Sequence, residues 1–215
     1  MDYNNKSNTY YKNTREEMLE FFPTNAKTVL DVGCGEGAFA ALIKEKYKTE
    51  TWGIEYMEDH GKQAEKVLDK VFIGPCENFI ESLPDNHFDV IYCNDVLEHL
   101  VDPEWVLENI QSKLTENGII ISSIPNMRYH SALKKLVINK SWEYERSGVM
   151  DKTHLRWFTK KSIRNMYERL GYEVVTHKGI NKTRSIKPYL YNIPLLFTAT
   201  DMFFVQYATV ARKAK

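Results

Sequence analysis

"VLDVGCGEGAFA", residues 29–40, decides the fold of this chain. An apolar run ends in three glycines, Gly33, Gly35 and Gly37, and the apolar spacing that follows is helical. A buried strand that turns through glycine into a helix opens a strand–helix alternation. Glycine lets the backbone approach a ligand closely and take positive φ, and open α/β sheets bind ligands beyond the carboxyl ends of their strands. The spacing is GxGxG, not the GxGxxG on which dinucleotide binders rest a pyrophosphate. Glu55, eighteen residues past Gly37, ends the next strand run, "WGIEY", where an acid can accept both hydroxyls of a ribose.

The alternation continues on both sides. Upstream, "NTREEMLEFF" has Thr14 followed three residues later by Glu17, the pattern of a capping box, with Pro23 as its stop. Downstream, "EDHGKQAEKVL" reads as a helix, "KVFIG" and "FDVIYCN" as strands, and Pro103–Leu114 as a helix. Asn117-Gly118 is read as a turn into the strand "IIISSIP". "TKKSIRNMYERLG" predicts a helix with Thr159 as N-cap and Gly171 as its stop, and "YEVVTHKGI" and "FFVQYATVAR" are the last strands. The expected architecture is one α/β domain over 1–215 with a mostly parallel sheet covered on both faces. Two interruptions, about 127–158 and 181–201, are expected as lids.

Composition bounds the function. The 215 residues hold 43% hydrophobic and 27% charged residues, with no net charge, which argues against a generic nucleic-acid binder. Residues 1–126 carry 11 Lys and Arg against 23 Asp and Glu, whereas residues 127–187 carry 15 against 5. The basic segment suits an anionic small-molecule partner or a solvated face. Cys34, Cys76 and Cys93 lack the spacing of a disulfide framework or a zinc site. "MDYNNKSN" shows no apolar leader, and Tyr189–Ala208 is interrupted by Asn192, Pro194, Asp201 and Gln206, so no membrane span is expected. A cytoplasmic protein fits best, and a homodimer is left open.

The motifs "LDVGCGEG", "GIE", "FDVIYCNDVLEHLVDP", "LTENGIIISSIPN" and "DKTHLRWFTKKSI" together resemble the class I S-adenosylmethionine-dependent methyltransferases, from Tyr10 to about Lys213. Within that superfamily the chain is similar to bacterial methyltransferases that accompany glycosyltransferases in surface-polysaccharide biosynthesis. A looser likeness joins it to the ubiquinone-biosynthesis O-methyltransferases. The resemblance implies a Rossmann-like, seven-stranded, mostly parallel sheet whose last strand is antiparallel, and S-adenosyl-L-methionine as cofactor. It places Gly33, Cys34 and Gly35 behind the methionine part, with Asp31 orienting the loop, Glu55 on the ribose, Tyr56 beside the adenine, and Asn94, Asp95 and Val96 along the methionine. Relatives often carry an Asp after the third strand for the adenine amino group. Here "IGPCENF" offers Cys76, a weak partner, and Glu77 as the stand-in.

Methyl transfer to a hydroxyl needs alignment and a proton acceptor. Of six histidines, His60, His87 and His177 read as structural or exposed. Asp95, Glu98 and His99 could share a helical face and hold a divalent metal, but the expectation is that they support the turn and that no metal is bound. His130 and His154 fall in the first lid. His154 in "DKTHLRWFT" is the expected base, with Asp151 orienting it and His130 as the second catalytic candidate. Asn126, Arg128 and Arg156 are expected at the acceptor. The leading reading is O-methylation of a sugar or nucleotide sugar. The alternatives are methylation of another small metabolite, such as a quinone-type phenol or an amine, and a non-catalytic cofactor-binding module.

Overall fold

A computed structural model describes residues 14–214. The opening stretch read as lacking a leader lies outside them. Seven strands run β1 (Thr28–Val32), β2 (Glu50–Glu55), β3 (Lys70–Ile73), β4 (Phe88–Asn94), β5 (Leu114–Pro125), β6 (Tyr172–Lys182) and β7 (Phe204–Lys213). Between them lie α1 (Ala38–Tyr47), α2 (Glu58–Ala64), α3 (Glu77–Ile80), α4 (Pro103–Ile110), α5 (His130–Leu133), α6 (Lys160–Arg169) and α7 (Lys187–Asn192). The sheet order is β3-β2-β1-β4-β5-β7-β6. The first five strands pair in parallel, and β7 pairs antiparallel with both β5 and β6. The α/β architecture and its parallel strands are as the alternation predicts, and the seven-stranded sheet with an antiparallel last strand is as the resemblance implies.

Period-2 alternation splits the inner strands between two faces. Leu30, Ile91, Cys93 and Ile120 pack on one face with Val106, Leu107 and Ile110 of α4 and Ile163 and Met166 of α6. Val29, Val90, Tyr92 and Ile121 pack on the other with Met18 and with Phe39 and Ile43 of α1. A sheet buried on both faces reads as continuous apolar runs, which is why "FDVIYCN" is the most strand-like segment. Each fully buried Ile or Leu contributes about 1.5–3 kcal/mol relative to exposure.

Four local expectations are corrected. The stretch 14–22 forms a short 3-10 turn, Glu16–Phe21, with no side-chain cap and with Arg15 in the left-handed region at φ 43. Glu17 cannot close a capping box because Arg15 Nε donates to it at 2.8 Å. The helix after β2 ends at Ala64. Asn117-Gly118 lies inside β5 as a bulge, where the register to β4 jumps from Phe88↔Leu114 to Val90↔Ile119. The second interruption contains a short helix, α7, where none was expected. Both interruptions leave the sheet at one end: Pro125, before the first, pairs with Gln206, just after the second.

Candidate functional site

At the carboxyl ends of β1, β2 and β4 lies a cavity of about 440 Å³. It opens where the sheet order reverses between β1 and β4, the place where such sheets bind ligands. Asp31, Gly33, Cys34, Gly35, Glu55, Tyr56, Cys76, Glu77, Asn94, Asp95 and Val96 all line it. Of the residues expected at the cofactor, Gly37 alone is not in the lining. It starts α1 at φ 82, and a Cβ there would lie 2.9 Å from Val67, so it serves helix packing.

The loop is built for close approach. A Cβ on Gly33, at φ 73, would lie 2.5 Å from Val96 Cγ2 across the cavity wall. The amide of Gly33 donates to the Ile54 carbonyl at 2.7 Å, tying the loop to β2. Glu55 then links both strand ends: it accepts from the amides of Gly35 and Met57, each at 2.8 Å. Glu55 is itself part of the cavity wall. Burial raises the Glu55 carboxyl above its ordinary range against those amide bonds. Asp31 is pushed up to about 7, by burial first and then by Glu55, with Arg15 opposing. Cys76 Sγ lies 3.5 Å from Glu77, and burial with that carboxylate raises the thiol.

Sequence reasoning missed Arg15. Its guanidinium reaches the cavity from the 3-10 turn, pairs with Asp95, and donates to Ser123 Oγ at 3.0 Å. Asp95, at φ 55, is also met by Gln206. The signal was a lone arginine in an acidic segment just ahead of β1, hidden by the capping-box pattern around it.

The stretch "DKTHLRWFT" docks on the 3-10 turn Leu97–His99: the amides of Leu155 and Arg156 donate to the Glu98 carbonyl at 2.8 and 3.0 Å. His99 lines the cavity, and its ring stands 4.8 Å from that of His154, edge to face. His99 Nδ1 donates to the Thr153 carbonyl at 3.0 Å, and His154 Nδ1 to the Val149 carbonyl at 3.1 Å. A carbonyl only accepts, so both rings carry hydrogen on Nδ1. Glu98, His99 and His154 each offer a ligand atom within 4.8 Å of the others. His154 replaces Asp95 in the trio considered from the sequence, because Asp95 turns to Arg15 and Gln206.

The other candidates are placed elsewhere. Asp151 is buried and accepts from the amide and hydroxyl of Thr153 at 2.8 and 2.7 Å, which shapes the turn that carries His154. His130 is buried in α5 beside Tyr129 and Tyr191, outside the cavity lining. Asn126 is wholly buried and donates to the carbonyls of Asp201 and Phe204 at 2.8 and 3.0 Å, so it fastens one interruption to the other. Arg128 pairs with Asp201. Arg156 donates to the carbonyl of Val101, a cavity residue, and so stands at the rim.

This sheet order, with the glycine loop after β1 and an acid ending β2, defines the Rossmann-like class of methyltransferase architecture. The chain belongs to the methyltransferase domain family, whose pattern matches residues 3–177. An uncharacterized protein of Haemophilus influenzae is 34% identical over 116 residues, 49% of this chain and 45% of that one. The ubiquinone biosynthesis O-methyltransferase of Histophilus somni is 30% identical over 112 residues, 48% of this chain and 47% of that one. The enzyme of the same name from Rickettsia canadensis is 28% identical over 158 residues, 71% and 65% of the two chains. The chain thus spans about half the length of the first two relatives. In fold, a SAM-dependent methyltransferase of Archaeoglobus fulgidus superposes with a TM-score of 0.70 at 24% identity, covering 96% and 95% of the two chains.

The family's cofactor is S-adenosyl-L-methionine, and the residues fit it. A side chain on Gly33 would collide with Val96 in the cavity wall, and Asn94 presents a buried amide nitrogen at the cavity with no acceptor among the described residues.

Proposed function

We propose that the chain transfers a methyl group from S-adenosyl-L-methionine to a hydroxyl of a small acceptor. The observation that carries this is the joining of the Gly33–Glu55 cradle to the Glu98–His99–His154 cluster through one lining residue, His99. When bound, the cofactor supplies an electrophilic sulfonium methyl. Glu55 and the loop amides hold the ribose side, and Arg15, a cation among the cavity's acids, is suited to the amino-acid carboxylate. One imidazole of the His99–His154 pair takes the acceptor's proton, and the buried Glu98 carboxylate favours the resulting imidazolium.

The acceptor read first is now a quinone-type phenol. Arg128, expected at the acceptor, pairs with Asp201 instead, which leaves one cation fewer for a nucleotide-sugar diphosphate. The ubiquinone-biosynthesis relatives support the same direction. A sugar hydroxyl is the second reading, supported by the basic 127–187 segment. A divalent cation on the cluster is a second role for it, since each imidazole donates its other N–H to a carbonyl as metal-ligating histidines do. The metal-free reading comes first because proton acceptance needs only the imidazoles.

The test is turnover of labelled cofactor with a catechol, a polyprenylated phenol and a nucleotide sugar, with and without chelator. Product from a phenol, unaffected by chelator and reduced ~10²-fold in His154→Ala with cofactor affinity kept, is expected. Product from the nucleotide sugar alone selects the second acceptor. Chelator-sensitive turnover selects the cation, and cofactor binding with no product from any acceptor selects the binding module.

A further inference from the structure

The two interruptions display apolar side chains to solvent. In the segment after α5, Leu136, Val137 and Ile138 are exposed, and around α7 so are Ile186, Ile193, Leu196 and Phe197, with Leu196 at 84%. The segments are neighbours. His130 of α5 faces Tyr191 of α7 at 6.5 Å between ring centroids, and Asn126 and Arg128 bind Asp201 across them.

This display is built. Asn192, wholly buried, accepts from the Ala199 amide at 3.0 Å and donates to the Pro188 carbonyl at 2.9 Å, while its own carbonyl accepts from the Phe197 amide at 3.0 Å. Those bonds hold Leu196 and Phe197 at φ 49 and 57, a left-handed backbone that bulky residues avoid. Strain spent to turn two large apolar side chains outward points to a surface that covers them.

Charge says which surface. Residues 127–142 hold Lys134 and Lys140, besides Arg128 and Lys135, which pair with Asp201 and Glu145, and have no Asp or Glu of their own. Residues 183–199 bring Arg184 and Lys187, with Lys182 just before them, and again no acid. Apolar residues ringed by cations are complementary to an anionic lipid surface, where the apolar tips enter the acyl boundary and the cations meet headgroups. Tyr189 and Trp142, both exposed, suit the level between. A second copy of the chain fits less well, since a two-fold contact would set the same cations against each other. Among the described residues no helix is long and apolar enough to cross a bilayer.

We propose that residues 127–142 and 183–199 form a docking face for an anionic membrane surface, at the end of the sheet that bears the cavity. Gln206, where the second interruption ends, donates to Asp95 of the cavity wall, so face and cavity share one edge. The docking does not depend on which acceptor is methylated.

The experiment is co-sedimentation of the full chain with phosphatidylcholine vesicles, with and without phosphatidylglycerol. Binding is expected to the anionic vesicles, to weaken with salt, and to fall ~10-fold or more in Leu196→Asp/Phe197→Asp and in Lys182→Glu/Arg184→Glu/Lys187→Glu. Both variants should keep the wild-type circular dichroism and melting temperature, and single Leu196→Asp serves if the double variant does not fold. Equal partition onto neutral vesicles, or none onto either, overturns the proposal. So does a concentration-dependent dimer that the same substitutions dissociate without any lipid effect.

Discussion

Asp31 and Glu55 put two carboxyl groups into one wall of the cavity, and burial makes both reluctant to ionise. For Asp31 the shift runs from 3.8 to about 7, so the native protein keeps a proton that the unfolded chain releases. The sign follows: the native state binds more protons, and this group's contribution is fully present below about pH 4 and lost as pH rises through about 7. Asp31→Asn removes that loss. In melts of the ligand-free protein, the variant should gain on the wild type as pH rises across that window. A difference that stays constant with pH would sink the assignment. Such residues differ in legibility. Gly33, Gly35 and Glu55 were readable because strand-end glycine and acid are local signals. Arg15 was not, because its partner Asp95 is eighty residues away and its neighbours mimic a helix cap. His154 was singled out, but its company was not: adjacency to Glu98 and His99 arises from a long-range docking of backbone amides on one carbonyl.

At the scale of elements, α6 shows what a short motif can fix. Thr159 Oγ accepts from the Ser162 amide at 3.2 Å, and Ser162 Oγ accepts from the Thr159 amide at 2.8 Å, closing the reciprocal cap. Gly171 ends the helix at φ 79. Just before the cap, the Phe158 carbonyl accepts from Met127 at 2.7 Å, so the helix start also anchors the stretch that carries His154. Thr159→Ala should cost about 1 kcal/mol, a fall of ~2–4 °C in melting temperature for a chain of this size. Ser162→Ala should cost a similar amount, and the pair less than the sum because each removes the other's partner. Strict additivity in calorimetry would show that the two caps act independently. The same logic explains the misreading at 14–22. Thr14 and Glu17 have the spacing of a capping box, but a box forms only when its acid is not already claimed, and Arg15 claims it.

For the whole molecule, the alternation specifies parallel strands and the family resemblance implies an antiparallel last strand, and the order β3-β2-β1-β4-β5-β7-β6 satisfies both. What the sequence could not supply is how the two interruptions meet. That depends on Asn126 and Arg128 reaching Asp201, contacts across more than seventy residues. The sheet order makes its own demand: a ligand in the cavity touches β1, β2 and β4 at once, so binding should stabilise the fold as a unit. A ligand that binds only the native state at ~100 times its dissociation constant adds about 2.7 kcal/mol. At ~2–4 °C per kcal/mol for a domain of this length, S-adenosylhomocysteine should raise the melting temperature by ~5–10 °C. NAD at the same concentration should not, since the glycine spacing lacks its pyrophosphate seat. Glu55→Ala removes the acceptor that ties the Gly35 loop to the end of β2 and should abolish most of the shift. A full shift in Glu55→Ala would move the ligand away from this strand end, and a shift with NAD instead of S-adenosylhomocysteine would overturn the proposed cofactor.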